Sequence, residues 1–287
     1  MKNSNHILWA TMTSRLQYLV PQHALSRLAG YVSRCRAPWF KNWLIQWFIK
    51  RYRVDMTVAA EPNPLAYPDF NSFFTRALKP EKRPMAAEEK AIVCPVDGAV
   101  SQIGKITDNL LLQAKGIHYD VQQLLGGSKE RAAPFLNGHF VTLYLAPKDY
   151  HRVHMPVSGR LREMIHVPGS LFSVNPVTTE TVANLFARNE RVITIFETEI
   201  GPMAVVLVGA MLVASISTVW AGKITPAGKQ QVRQWQYNYQ RIELARGQEL
   251  GHFELGSTAI VLFGSNAVNW VAGVQPGHSL CFGQALT

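Results

Sequence analysis

The sequence predicts an α+β fold, a mainly antiparallel β core preceded by amphipathic helices. Three observations carry this prediction. Short β-rich runs broken by Gly, Pro and Asn fill the chain after Ala91, aromatic residues recur at helical spacing before residue 60, and nearly half of the 287 residues are apolar, enough for a substantial core.

Residues 1–60 read as a unit of several short helices. One helical pattern runs from about Ile7 to Leu19. In a second, from Trp39 to Tyr52, Trp39, Phe40, Trp43, Leu44, Trp47 and Phe48 recur at three- and four-residue steps, with Lys41, Asn42, Gln46, Lys50 and Arg51 largely between them. Pro21 and Pro38 interrupt the region. The chain carries 29 Lys and Arg against 19 Asp and Glu, a formal charge of +10, and most of that excess lies here, where nine basic residues face a single acid, Asp55. Basic residues mixed with Trp and Tyr suit the boundary between anionic lipid headgroups and acyl chains. A helical cap packed on its own core is the competing explanation, and the density of Trp with charge of one sign favours membrane contact. Nucleic acid is not expected as a partner, because no recognised binding motif accompanies the basic residues.

Residues 61–90 are rich in Pro and charge around a short apolar patch and read as a connector. Residues 91–287 follow as the β-rich core, with runs such as AIVCPV, HFVTLYLA, RVITIFET and TAIVLFG. Gly201 to Gly222 has no charged residue and approaches the length of a membrane span, about 20 residues. Its many β-branched residues and central Gly209 predict two buried strands instead. Leu255 to Thr287 contains no Lys, Arg, Asp or Glu and is expected inside the fold. Cys35, Cys94 and Cys281 are few and far apart, which points to a reducing compartment and to neither a disulfide framework nor a zinc site. The N-terminal segment lacks the clean apolar run and small-residue cleavage site of a signal peptide, so it is expected to stay in the mature protein. No phosphate-cradling Gly loop is present, which argues against a nucleotide enzyme.

Polar groups in apolar surroundings concentrate in CPVDGAV around Asp97, PKDYHRVHMPVSG around His151 and His154, and ELGSTAIVLF around Ser257. Singly, each has an ordinary explanation: a turn Asp, a structural His pair, a loop Ser. Together, an Asp, a His and a Ser form a nucleophilic relay, in which the Asp orients the imidazole and the imidazole takes the hydroxyl proton. A serine hydrolase is one outcome, although LGST is not the GxSxG turn that presents a nucleophile to an external substrate. A non-enzymatic membrane-surface protein is another. The carbonyl nearest to Ser257 belongs to Gly256.

FNSFFTRALKPEKRP, PVDGAVSQIG, LLQAKGIHYDVQQLLGG, LYLAPKDYHRVHMPVSGRL, VPGSLFSVNP, LFARNERV, VGAMLVASI and ELGST occur in an order and spacing that resemble the bacterial phosphatidylserine decarboxylase family over nearly the whole chain. The resemblance implies a proenzyme, a zymogen that cuts itself between Gly256 and Ser257 into chains 1–256 and 257–287. Asp97 and His154 match the relay positions that activate Ser257 against the Gly256 carbonyl. The resulting ester eliminates, and Ser257 becomes a pyruvoyl group, the only cofactor implied; no metal is. The pyruvoyl ketone forms a Schiff base with the amine of phosphatidylserine and releases CO2 to give phosphatidylethanolamine, a carboxy-lyase reaction of phospholipid biosynthesis.

His151 matches a position implicated in substrate recognition and decarboxylation, with a merely supporting role as the alternative. Gly256 suits the shift because it has no side chain to obstruct the hydroxyl. Thr258 either assists the reaction or simply fills a strand. Lys115 and Gly116, Gly209 and Met211, and the Val167–Pro176 loop are candidate walls of the headgroup pocket, with packing and turn chemistry as equal explanations. Arg76, Lys148 and Arg152 are candidate contacts to lipid phosphate. The implied partners are phosphatidylserine, an anionic membrane surface and the two chains of one precursor as a heterodimer, with further dimerisation left open. The implied place is the cytoplasmic face of the cell membrane, as a peripheral protein.

Overall fold

The computed structural model describes residues 17–211, 215–225, 231–265 and 268–287. The helical pattern expected from about Ile7 to Leu19 falls largely outside them. Helix α1 spans Gln22–Ser33 and α2 spans Pro38–Tyr52. Pro38 opens α2 where its missing N–H is no loss, and Arg53 closes it in a left-handed conformation.

The faces of these helices differ from the simple amphipathic pattern. In α2, Ile45 and Phe48 are buried while Trp39, Trp43 and Trp47, at four-residue steps, stand 77%, 59% and 47% exposed. Lys41, expected on the polar face, is buried, and its Nζ donates to the Leu65 carbonyl and to Asn42 at 2.9 Å each. In α1 the polarity is inverted: Gln22, Ser26 and Ser33 face inward, and Leu28 and Tyr31 face out. The inward face of α1 docks by hydrogen bonds. Gln22 Oε1 accepts from the Leu171 N–H at 2.6 Å, and a His23 ring nitrogen lies 2.9 Å from the Gly169 carbonyl. Both partners belong to the Val167–Pro176 loop, which is thereby a ledge for α1.

The stretch read as a connector is itself packed. Asp69 caps helix α3, Phe70–Phe74, by accepting from the Ser72 N–H. Tyr67, Phe70, Phe73 and Phe74 join Ile45, Phe48 and Val54 in one apolar cluster, against which Leu255 also packs.

The rest is mainly layered β structure with a few single-turn helices, as expected for the core. In chain order the strands are β1 Gly98–Lys105, β2 Leu110–Ala114, β3 Ile117–Asp120, β4 His139–Leu145, β5 Arg152–His154, β6 Gly159–Val167, β7 Arg191–Thr198, β8 Gly201–Val208 and β9 Ser215–Thr218. They continue as β10 Gly222–Lys223, β11 Arg233–Gln236, β12 Glu243–Leu244, β13 Glu249–Glu254, β14 Ser257–Phe263 and β15 Ser279–Leu280. A large antiparallel sheet runs β11-β6-β7-β8-β14-β4-β1-β15, with β12 also paired to β6. A small sheet runs β10-β9-β13-β5, and β2 pairs with β3.

The large sheet is covered on both faces. Ala259, Val261 and Phe263 of β14, with Val205 and Leu207 of β8, face a core shared with Val153, Leu250 and Phe253 of the small sheet. Ile260, Leu262, Val206 and Val208 face the other way, into a cluster with Leu111, Tyr119, Leu124 and Phe186. Two buried faces explain why AIVLF and MAVVLV read as continuous apolar runs without alternation. The described residues between Gly201 and Gly222 carry β8 and β9, as predicted, and no helix among the described residues is long and apolar enough to cross a membrane.

The uncharged C-terminal stretch divides. Beyond Gly264 much of it is exposed, and it returns to the fold through β15 and through Leu286, which is fully buried. It needs no charge because much of its polarity comes from Asn, Gln, Ser and backbone groups.

Ile260 is fully buried in the strand between β4 and β8. Ile260→Ala is expected to lower the unfolding free energy by about 2–5 kcal/mol, read from the shift of the urea midpoint at unchanged slope.

Candidate active site

Strand register brings the singled-out segments to one end of the large sheet. Ser257, the first residue of β14, pairs with Leu145, the last of β4, and Tyr144 pairs with both Thr258 and Ala99. Asp97 immediately precedes β1, and the loop that follows Leu145 leads into His151 and His154. Gly98 is required at this junction, since a Cβ there would lie 2.5 Å from the Tyr144 carbonyl oxygen. The backbone of β5 is tied to the Asp97 segment by the His154 N–H, which donates to the Pro95 carbonyl at 2.9 Å.

The chain enters β14 through a kink. Strand β13 ends at Glu254 in the small sheet and β14 begins at Ser257 in the large one, so the crossing takes two residues. Both are left-handed: Leu255 has φ +71° and Gly256 φ +66°. Glycine adopts this conformation freely, whereas for leucine it is strained.

His154 is buried, and both its ring nitrogens are engaged. Nδ1 lies 2.8 Å from the Gly247 carbonyl and Nε2 lies 2.9 Å from the Tyr150 hydroxyl. A carbonyl only accepts, so Nδ1 carries the proton and Nε2 is the lone-pair nitrogen that receives the Tyr150 O–H. Burial pulls the His154 pKa below its ordinary value, while the Gly247 hydrogen bond and the charges of Glu249 and Asp97 work in the opposite direction. The imidazole is therefore neutral at neutral pH and has a basic Nε2.

Asp97 does not touch those nitrogens. Its carboxylate is clamped by Arg83, with Nε at 2.9 and 3.0 Å from the two oxygens and Nη2 at 2.5 Å, and it accepts the Phe282 N–H at 2.8 Å. The Phe282 ring stacks on His154, centroids 3.8 Å apart. One residue of the C-terminal tail thus bridges the two members of the expected relay. Neither Arg83 nor Phe282 nor Tyr150 was singled out in the sequence. The Arg in EKRP and the Tyr directly before HRVH were the available signals.

His151 is fully buried, with Nδ1 2.8 Å from the Asp149 carbonyl and its ring 4.1 Å from that of Phe74. Its Nε2 has no partner. Burial pushes its pKa down to about 3, so this histidine is neutral and its free nitrogen is an acceptor rather than a proton donor. Burial also raises the nearby Asp149 carboxyl to about 6.

Arg76 is 3% exposed and lies near enough to depress His151 further. Its Nη2 donates to the Lys148 carbonyl at 3.1 Å, while Nε and Nη1 are buried without partners. The Thr258 hydroxyl is likewise buried and unpartnered. Arg152 is occupied by Glu249 and the Thr75 carbonyl, and Lys148 is exposed. Lys115 and Gly116 form the exposed turn between β2 and β3. Gly209 is fastened through its carbonyl to Asn189. A separate open depression of about 350 Å³, lined in part by Arg131, Glu163 and Gln236, includes none of these site residues.

A strained residue, Leu255, thus leads into β14 at the sheet end to which the segments of Asp97, His151 and His154 are also delivered, and His151, Arg76 and Thr258 each carry buried polar atoms without partners. Comparisons with known proteins give the family. A family model described as Phosphatidylserine decarboxylase matches residues 70–287, and one described as PSD matches residues 13–53. The phosphatidylserine decarboxylase proenzyme of Ectopseudomonas mendocina (strain ymp) is 57% identical over 273 residues, which is 94% of this chain and 95% of that protein. That of Pseudomonas putida (strain GB-1) is 56% identical over 282 residues, 96% and 98% of the two chains. The chain belongs to the phosphatidylserine decarboxylase family.

Imidazole NMR titration should find His154 taking up its second proton below its ordinary pKa of 6.5 and His151 only near 3. Because unfolding frees His151 to bind a proton, its contribution to stability is intact above pH 6.5 and is lost progressively as the pH falls toward 3. A His151 midpoint at or above 6.5 would contradict the buried, neutral assignment.

Proposed function

We propose that the chain is a phosphatidylserine decarboxylase proenzyme that cuts itself between Gly256 and Ser257, turns Ser257 into a pyruvoyl group and releases CO2 from phosphatidylserine to give phosphatidylethanolamine. The observation that carries the cleavage site is the pair of left-handed residues, Leu255 and Gly256, directly before Ser257. Backbone strain at a peptide raises its energy relative to the ester that replaces it.

The Ser257 oxygen bonds to the Gly256 carbonyl carbon, and the bond from that carbon to the Ser257 nitrogen breaks. His154 Nε2 is the base that takes the hydroxyl proton and returns it to the leaving nitrogen. Asp97 acts on His154 through its charge and through Phe282 rather than by direct contact. Loss of the Ser257 Cα proton then breaks the Cβ–O bond and releases Gly256 as a carboxylate. The dehydroalanine left behind tautomerises, and water replaces its nitrogen as ammonia.

The buried surroundings suit the pyruvoyl group, since the unpartnered Thr258 hydroxyl sits one residue from it and His151 Nε2 is free to accept a hydrogen bond. The group supplies the carbonyl that accepts the electron pair released with CO2. His151 Nε2 accepts a hydrogen bond from the headgroup ammonium, a role in substrate recognition. Arg76 offers two buried N–H groups with no counter-charge bound to them, which suits an oxyanion of the headgroup.

The processed protein is a heterodimer of residues 1–256 and 257–287, held together by β14 between β4 and β8. The exposed Trp39, Trp43 and Trp47, with Leu28 and Tyr31 of α1, support peripheral docking on an anionic bilayer, and the unpaired Cys35, Cys94 and Cys281 fit its cytoplasmic face. Residues 1–60 supply this membrane-facing unit. Residues 61–90, though packed, join it to the catalytic core of 91–287.

Intact-mass analysis of active protein under denaturing conditions is expected to give two chains, the smaller of 31 residues with a keto-blocked N-terminus, and Ser257→Ala to give one. A single unprocessed chain in active material would overturn the proposal. Arg76→Gln is expected to raise KM for phosphatidylserine about 10- to 100-fold, the loss of a charge-assisted hydrogen bond, with processing into two chains retained.

A further inference from the structure

We infer that Arg34 and Leu255 are positioning residues for self-cleavage, through which the N-terminal helices hold the Gly256–Ser257 peptide in its reactive conformation. The inference rests on the proposed cleavage site and assigns a cause to the backbone strain found there.

A leucine at φ +71° persists only where its surroundings over-determine it. Two anchors do so, one on each of the residues that precede Gly256. Glu254, the last residue of β13, is a carboxylate 6% exposed, and it is ion-paired to Arg34, directly after the end of α1. Lys223 stands 3.8 Å from the same carboxylate oxygen. Leu255 itself packs into the cluster built by α2, α3 and Tyr67, whose members include Ile45, Phe48 and Phe74. Beyond the kink, Ser257 is fixed by pairing with Leu145. The crossing between the two sheets is therefore clamped before and after the peptide, and the upstream clamp comes from residues outside the β core.

Without these anchors Leu255 relaxes toward an ordinary negative φ, and the Gly256 carbonyl turns with it. The covalent step is unchanged: the Ser257 oxygen loses its proton and gains the Gly256 carbon, and the Ser257 nitrogen loses that carbon and receives the hydroxyl proton. What the anchors supply is the orientation of that carbonyl and the energy stored in the peptide. The ion pair is a buried one at its acid end, so its loss also leaves Glu254 short of a partner.

The test is the rate of conversion of freshly translated full-length chain into its two fragments, followed on denaturing gels. Leu255→Ala, Glu254→Gln and Arg34→Gln are each expected to slow conversion about tenfold, with Arg34→Gln the mildest because Lys223 remains. Leu255→Met and the charge-exchanged pair Arg34→Glu with Glu254→Arg are expected to restore most of the rate. Added hydroxylamine, which cleaves esters, should not rescue the slow variants if ester formation is the step affected. Melting temperatures of the uncleaved forms, measured with Ser257→Ala added, separate a lost clamp from a lost fold: slow conversion at unchanged melting temperature supports the inference. Wild-type rates in Leu255→Ala and Glu254→Gln overturn it while leaving the cleavage site intact. Conversion that persists in Ser257→Ala alone overturns the cleavage site instead.

Discussion

The structure depends on a two-residue crossing. Strand β13 is hydrogen-bonded in the small sheet and β14 in the middle of the large one, and the two sheets face each other across one core. With only Leu255 and Gly256 to make the passage, the chain has to turn sharply, and positive φ at both residues accomplishes it. The position of the peptide proposed for cleavage follows from this geometry. A longer loop would connect the same strands without strain, and would place Ser257 in a segment free to relax rather than at the first register position of a buried strand.

Burial governs the chemistry around the crossing. Desolvation disfavours the charged form of each group, which keeps His151 and His154 neutral and raises Asp149. A neutral imidazole whose Nδ1 proton is committed to a backbone carbonyl has one function left, to accept at Nε2. Both histidines are arranged this way, His154 with Tyr150 on that nitrogen and His151 with nothing. The same burial makes Arg76 conspicuous, since guanidinium N–H groups without partners in a dry site are expensive to maintain unless an anion binds them.

Much of this was legible in the sequence, for identifiable reasons. The strands announce themselves because β8 and β14 are buried on both faces and so read as unbroken β-branched runs, which also distinguished Gly201 to Gly222 from a membrane span. Asp97, the two histidines and Ser257 stood out as polar residues in apolar segments, and antiparallel register delivers their segments to one sheet end. What escaped notice depends on contacts between segments far apart in sequence. The packing of Phe70, Phe73 and Phe74 on α2 is invisible in a Pro-rich, charged stretch. The inward Lys41 and outward tryptophans of α2 invert part of its expected pattern, because periodicity shows that a helix has two faces but not which of them meets the core. The clamp of Arg83 on Asp97 joins residues 14 apart, and the Phe282 contacts join residues more than a hundred apart.

Phe282 also bears on how the site survives its own cleavage. Under the proposed cut at Gly256 the smaller chain begins at Ser257 and keeps both β14 and the tail. The strand remains hydrogen-bonded to β4 on one side and β8 on the other, with Ala259, Ile260 and Val261 wholly buried. The tail then crosses the surface and returns to place the Phe282 N–H on Asp97 and its ring on His154. Each chain therefore holds half of what the other needs: the large one carries the histidines and the carboxylate, the small one the reactive terminus and the bridge that orders them. Release of the backbone strain at Leu255 under the proposed cut leaves these contacts untouched, so the freed terminus of β14 stays at the end of the sheet.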